Sequence, residues 1–276
     1  MSSIASRPES RDLSVGAWLA GLARHTWVQL LVVGLLLFVA LERAASATGN
    51  INLVPSLICL GAFLGPVVFV AYVYEKAHGV PLPLLMWSFI VGGILGVTAA
   101  SVAEYRTVLE LGGLPTTAIG LAEETSKLIV PLAIFLVARY RREADGLLIG
   151  VASGMGFAAF ETMGYGLVSL LASRGNIDYV EQVLFTRNVL APAGHAAWTG
   201  LICAALWRAR ARPSPWSTVA VVLAFVVAVT LHAMWDSSTS RWELLPVALV
   251  SFGLLSWRLG AVSRQRASVP AAAPYP

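Results

Sequence analysis

Charged side chains are scarce in this chain. They make up 12% of its 276 residues, where soluble domains carry roughly 25%. A chain so short of charge cannot cover a soluble surface, and with 57% hydrophobic residues and a mean hydropathy of +0.75 it reads as a polytopic membrane protein. Cysteine is nearly absent as well. Cys59 and Cys203 each sit inside an apolar run, which leaves a disulfide framework, a Cys₄ zinc site and a thiol nucleophile unsupported. No H-E-x-x-H sequence occurs, so the usual helix-borne zinc site is missing. Long polar stretches are lacking too, and that leaves no room for a separate soluble domain.

What fills the chain instead is a series of apolar runs. Spanning a bilayer takes about 20 apolar residues per helix. By that measure candidate spans fall at 27–47, 53–74, 84–102, 116–138, 146–172, 188–207, 216–235 and 244–262. The expected fold is therefore all-α, a polytopic transmembrane helical bundle of about eight spans. It divides into a cytoplasmic N-terminal segment (1–26), the transmembrane bundle (27–262) and a flexible cytoplasmic tail (263–276). Residues 15–22 could form a short amphipathic helix at the inner surface. Arg24, the apolar run after it and Ala45-Ser46-Ala47 resemble a secretory signal with its cleavage site, although the basic region before that run is long. Glycines recur in the third span (Gly92, Gly93, Gly96) and in the fifth (Gly150, Gly154, Gly156, Gly164, Gly166). Close helix packing is the expected reason.

The basic residues lie in short loops and at span ends rather than in a patch suited to nucleic acid. With eight spans, thirteen of them share one side: Arg7, Arg11, Arg24, Lys76, Arg139, Arg141, Arg142, Arg208, Arg210, Arg212, Arg258, Arg264 and Arg266. The opposite side holds Arg43, Arg106, Arg174, Arg187 and Arg241. The positive-inside rule then places both termini in the cytoplasm. His25 and His78, at inner span ends, read as interfacial.

Against this apolar background a few ionisable residues stand out. Each charge at a bilayer centre costs roughly 2.5–3.5 kcal/mol on insertion scales, so each needs a partner or a task. Glu123, Glu124 and Lys127 fall in the fourth span, Glu161 in the fifth, His195 in the sixth, and His232 with Asp236 in the seventh or at its end. Counting about 1.5 Å per residue from the outer span ends places most of them in the outer third of the bilayer. Glu123 and Lys127 are i,i+4 and Glu124 and Lys127 are i,i+3, so one glutamate could pair with the lysine while the other points elsewhere. Pro131 can kink the fourth span. Pro192 and Gly194 could break the sixth just before His195, which membrane proteins tolerate where a cavity is lined. His232 and Asp236 are i,i+4, so the aspartate could orient the imidazole.

Glu and His in one layer are the residues that activate water or hold a metal. The chemistry this favours is hydrolysis. Glu123 or Glu124 would serve as the general base, with Glu123 preferred and Glu124 as the partner of Lys127. His195 and Glu161 would hold the water or a metal, and His232 and Asp236 would stabilise the oxyanion or complete a ligand set. Two histidines and a glutamate on three helices could form a His₂Glu zinc site from Glu161, His195 and His232, and their shared layer favours a bound metal. Two other classes compete. A proton-coupled transporter would also bury Glu and His but would spread them through the full depth, whereas the inner halves of these spans are nearly all apolar. A non-catalytic scaffold binding other membrane helices would need no such ordered set.

The ordered set also carries a resemblance. Glu123-Glu124-Thr125-Ser126-Lys127 is similar to the E-E-x-x-K motif of PrsW-type intramembrane proteases, distant relatives of the CAAX-prenyl protease and bacteriocin-processing group. Gly156 to Glu161 resembles that family's G-F-x-x-x-E element. Arg187 through His195 to Gly200 resembles its third motif, and His232 to Asp236 its fourth. Thr162 stands where the family has Asn. The resemblance implies cleavage of a membrane-tethered, single-span protein such as an anti-sigma factor, near the outer face of a bacterial inner membrane, with membrane lipid as the surroundings. It leaves open whether the water is activated by zinc or by glutamate and histidine alone.

Overall fold

The protein is described by a computed structural model covering residues 21–137 and 140–267. Ten α-helices and two 3₁₀ turns make up the described residues, which contain no strand. The helices are α1 (Thr26–Thr48), α2 (Val54–Ala77), α3 (Leu82–Leu111), α4 (Thr116–Lys127), α5 (Ile129–Val137), α6 (Glu143–Ala172), α7 (Ile177–Leu190), α8 (His195–Ala211), α9 (Pro215–Ser237) and α10 (Arg241–Ala267). Seven segments are long and apolar enough to cross a membrane: α1, α2 with its preceding turn, α3, α6, α7 together with α8, α9 and α10. The fold is the expected polytopic helical bundle.

The fourth expected crossing, 116–138, holds α4 and α5 in its described residues, and the two meet at Leu128. Pro131 explains the break. It has no N–H to give the carbonyl four residues earlier, that of Lys127. Ser153 on α6 supplies the missing donor, its Oγ lying 2.8 Å from the Lys127 oxygen. A second break precedes α8, where Ala191–Ala193 forms a 3₁₀ turn and Gly194 leaves helical geometry at φ −110°, ψ −101°. His195 thereby becomes the first residue of α8. Both interruptions were legible from Pro131, Pro192 and Gly194.

Helix α6 is the centre of the bundle. The most apolar stretch of α6 is 83% buried, against 11% for α1, and α3 and α8 make its main contacts. Glycine sets those distances. A methyl at Gly156 would run into the backbone carbonyl of Phe89 on α3, and one at Gly154 into that of His195 on α8. The close packing expected of these glycines is thus present, and one of the contacts seats a site residue. Outside this core the bundle is apolar outward, as lipid requires: Leu36, Val137, Leu249 and Leu171 are all exposed.

Several boundaries differ from those expected. Helix α3 runs nine residues past 102, to Leu111. Helix α7 occupies a stretch read as loop and was not anticipated; Asn176 caps it by accepting from the Tyr179 N–H at 3.1 Å. Helix α10 continues to Ala267, into the segment expected to be a flexible tail. Residues 15–20 of the expected amphipathic helix lie outside the described residues. Both cysteines are free; Cys203 is buried in the core, and Cys59 is exposed on the surface of α2. His25 pairs with Glu75 at 2.8 Å.

Arg142, Arg210 and Arg258 lie at one end of the bundle. There Arg142 donates to the Gly79 carbonyl at 3.1 Å, Arg258 pairs with Glu143, and Arg210 donates to the Phe135 carbonyl. At the other end Thr116 and Ser237 join α4 to α9 through their hydroxyls at 2.9 Å.

Candidate active site

Glu123 lies seven residues into α4, about 10 Å in from the end carrying Thr116 at 1.5 Å per residue. At that level α4, α6, α8 and α9 turn their polar residues toward one another, and the shared layer read from the sequence is a real cluster. Its hub is Lys127, whose side chain is fully buried. The ammonium lies 3.0 Å from Glu123 Oε2, 2.8 Å from Glu124 Oε1 and 2.8 Å from His195 Nδ1. An ammonium has three N–H donors, and these three acceptors use all of them. The Phe157 ring covers its remaining side at 4.3 Å.

Sequence spacing alone had assigned Lys127 to one glutamate. It holds both, because i,i+3 and i,i+4 neighbours lie on adjoining faces and a long side chain can reach between them. The two glutamates still differ. Glu124 is entirely buried, its Oε1 also taking His232 Nδ1 at 2.8 Å, while its Oε2 finds no partner among the described residues. Glu123 keeps slight exposure, 9% for its side chain, and its Oε2 lies 3.4 Å from His232 Nε2. Asp236 Oδ2 stands 3.4 Å from the same nitrogen, an attractive contact only when the imidazole is protonated.

Bonding fixes the histidine roles. His195 Nδ1 must accept from Lys127, so its proton sits on Nε2, which faces Glu161 Oε2 at 3.2 Å. Glu161 in turn is paired with Arg187 at 2.6 Å. His232 donates Nδ1–H to Glu124 and turns Nε2 to Glu123 and Asp236. The two imidazole centroids are 5.6 Å apart. Trp198 fills the space beside them, stacked on His232 at 4.6 Å and edge-on to His195 at 5.7 Å. Its indole N–H is donated to Ser251 Oγ on α10 at 3.0 Å.

Two further residues belong to this site. Arg187, from the unanticipated α7, is ion-paired with Glu161, donates its Nε–H to Thr162 Oγ1 at 3.1 Å, and stacks 3.9 Å from the Tyr165 ring. Thr162 thus acts as the seat of the arginine. The sequence signal for Arg187 was its lone position just ahead of His195. Glu104 on α3 lies within electrostatic range of Glu123, Glu161 and Asp236. It escaped notice because the third span was ended at residue 102.

The donors do not fit a metal ion in this arrangement. Among the described residues no three His, Cys, Asp or Glu side chains are grouped so as to hold one. Glu161 meets His195, but His232 is bonded to Glu124 and faces Glu123 instead. The point where Glu123, Glu124 and His195 converge already holds the Lys127 cation.

Comparison with curated proteins and with solved structures finds no match. A family model does match, over residues 80–258, from the start of α3 to Arg258 in α10. That stretch contains every residue of the cluster, and the chain belongs to the PrsW family of intramembrane metalloproteases.

Proposed function

We propose that the cluster hydrolyses a peptide bond in a single-span membrane protein, near the outer face of the membrane, with Glu123 as the general base. The observation that carries this reading is the division of labour around Lys127. Glu124 is wholly buried between Lys127 and His232, while Glu123, His195, Glu161 and Arg187 keep some exposure.

The steps follow from the donors that remain free. Glu123 takes a proton from a water, and the resulting hydroxide adds to the scissile carbonyl carbon. Lys127 cannot stabilise the oxyanion, because its three donors are committed. Arg187 has five N–H groups, of which Nε–H goes to Thr162 and one nitrogen faces Glu161 as an ion pair, so others remain for the developing negative charge. His195 Nε2–H and Glu161 hold the water. Glu123 then returns its proton to the amide nitrogen, the C–N bond breaks, and a carboxylic acid and an amine leave. His232, held by Glu124, packs its other edge against Glu123 and Asp236. The metal expected from Glu161, His195 and His232 takes no part in this sequence.

A proton-conducting path through the bundle is disfavoured by its core. Beyond the site Leu147, Leu148, Ile149, Ile202 and Ala204 are all buried, and they separate the cluster from the far end with apolar side chains. Anti-sigma-factor-like proteins in a bacterial inner membrane remain the substrate class that the family resemblance suggests.

The test is cleavage of co-expressed single-span reporters. Glu123→Gln and His195→Ala should each lower cleavage at least about 100-fold, the usual contribution of acid–base catalysis, with folded protein still recovered. Purified enzyme treated with a strong zinc chelator should keep its activity. Loss on chelation with recovery on added zinc would overturn the glutamate-dependent scheme in favour of a metal centre.

A further inference from the structure

Beside the cluster the molecule holds a partly enclosed cavity of about 160 Å³. Arg187, Thr162, Thr186 and His195 lie on its polar side, and Arg187, Thr162 and His195 are already tied to Glu161 or to one another. The rest of the lining is mainly apolar: Leu190 and Ala191 from the end of α7 and the following turn, Trp198 from α8, Trp235 from α9 and Leu244 from α10. We propose that this cavity is a recognition pocket for one apolar substrate side chain, of the size of leucine or phenylalanine, at a residue flanking the scissile bond.

Size carries the first part of the argument. An apolar cavity of about 150 Å³ takes a benzene ring, so this one admits a leucine or phenyl group and leaves an alanine methyl mostly without contacts. Rigidity carries the second. Trp198 is held at its indole nitrogen by Ser251 and stacked on His232, so this wall cannot yield to an indole side chain. Position carries the third. A scissile carbonyl that meets the free N–H groups of Arg187 brings its flanking side chain to the cavity mouth. Two larger clefts, of about 630 Å³ between α4, α9 and α10 and about 570 Å³ between α1, α2 and α7, are lined by none of the cluster residues. They offer no comparable link to the chemistry.

This pocket rests on the hydrolase reading, and the experiment separates the two. Purified full-length protein in lipid bilayers is given single-span reporters whose residue flanking the scissile bond is Ala, Leu, Phe, Trp or Asp. Leu and Phe reporters should be cleaved at least roughly tenfold faster than Ala, since each apolar group lost from a fitted pocket is worth about that factor or more. Ala191→Leu fills the pocket from the turn, and Leu244→Trp narrows it from α10. Each should bring the Leu-to-Ala ratio of cleavage rates down toward one. The same reporters are also bound to Glu123→Gln protein, where the order Leu and Phe above Ala and Asp should persist without turnover. Failure of the wild type to cleave any reporter would defeat the hydrolase reading, and the binding order would then decide the pocket alone. Equal binding of Ala and Leu reporters, or a Leu-to-Ala ratio unmoved in both folded variants, would overturn the pocket.

Discussion

Lys127 decides the site at the scale of single residues. A buried cation is tolerable only where its charge is matched and its donors used, and Lys127 meets both conditions through Glu123, Glu124 and His195. Lys127→Ala strands two carboxylates and should lower stability by about 3–5 kcal/mol, seen as a lower unfolding temperature in detergent. Adding Glu123→Gln and Glu124→Gln should restore most of that loss, because the uncompensated charges are gone. Glu123→Gln alone should cost much less. If Lys127→Ala melted with the wild type, the hub described here would not exist.

At the scale of elements, the site depends on how closely α6 approaches its neighbours. Gly156 meets the Phe89 backbone of α3, and backbone cannot rotate away as a side chain can. Gly156→Ala should therefore separate α3 from α6 and destabilise by about 1–3 kcal/mol, the usual cost of overpacking. Gly164, on the same helix, has open space where a methyl would go. Gly164→Ala should be neutral or stabilising by up to about 1 kcal/mol, since alanine is the better helix former. Thermal unfolding of the two variants under one set of conditions checks the contrast. Equal effects would mean that the approach is looser than it looks. The breaks at Leu128 and Gly194 act at this scale as well, each removing a regular hydrogen bond so that a polar residue can enter the cluster.

For the whole molecule, the end of the bundle that carries Arg142, Arg210 and Arg258 is expected to face the cytoplasm by the positive-inside rule. Reporter fusions after Arg142 and after Arg212 should then read cytoplasmic, and those near Asn176 and Ser240 external. An external reading at Arg212 would invert the molecule and move the site to the inner leaflet, and the proposed outer-face cleavage would fail with it.

The sequence by itself determined the class of fold, the approximate crossings and most of the members of the cluster. Apolar length, scarce charge and the spacing of Glu123, Glu124, Glu161, His195 and His232 are local properties, and each charge in an apolar run needs a reason that chain position alone reveals. What only the tertiary structure decided is who bonds to whom. Lys127 could have held one glutamate or two; the packing of α8 on α6 at Gly154 brings His195 to it as a third acceptor. Arg187 lies on a helix whose mixed polarity resembles a loop, so it was legible as a motif residue but not as a neighbour of Glu161. Glu104 lay beyond the assumed end of a span, because hydropathy marks where lipid ends and not where a helix does. The metal that His195, His232 and Glu161 suggested turned on directions that spacing cannot carry. Imidazoles on different helices converge or diverge according to helix rotation, and here His232 is rotated toward Glu124 and Glu123.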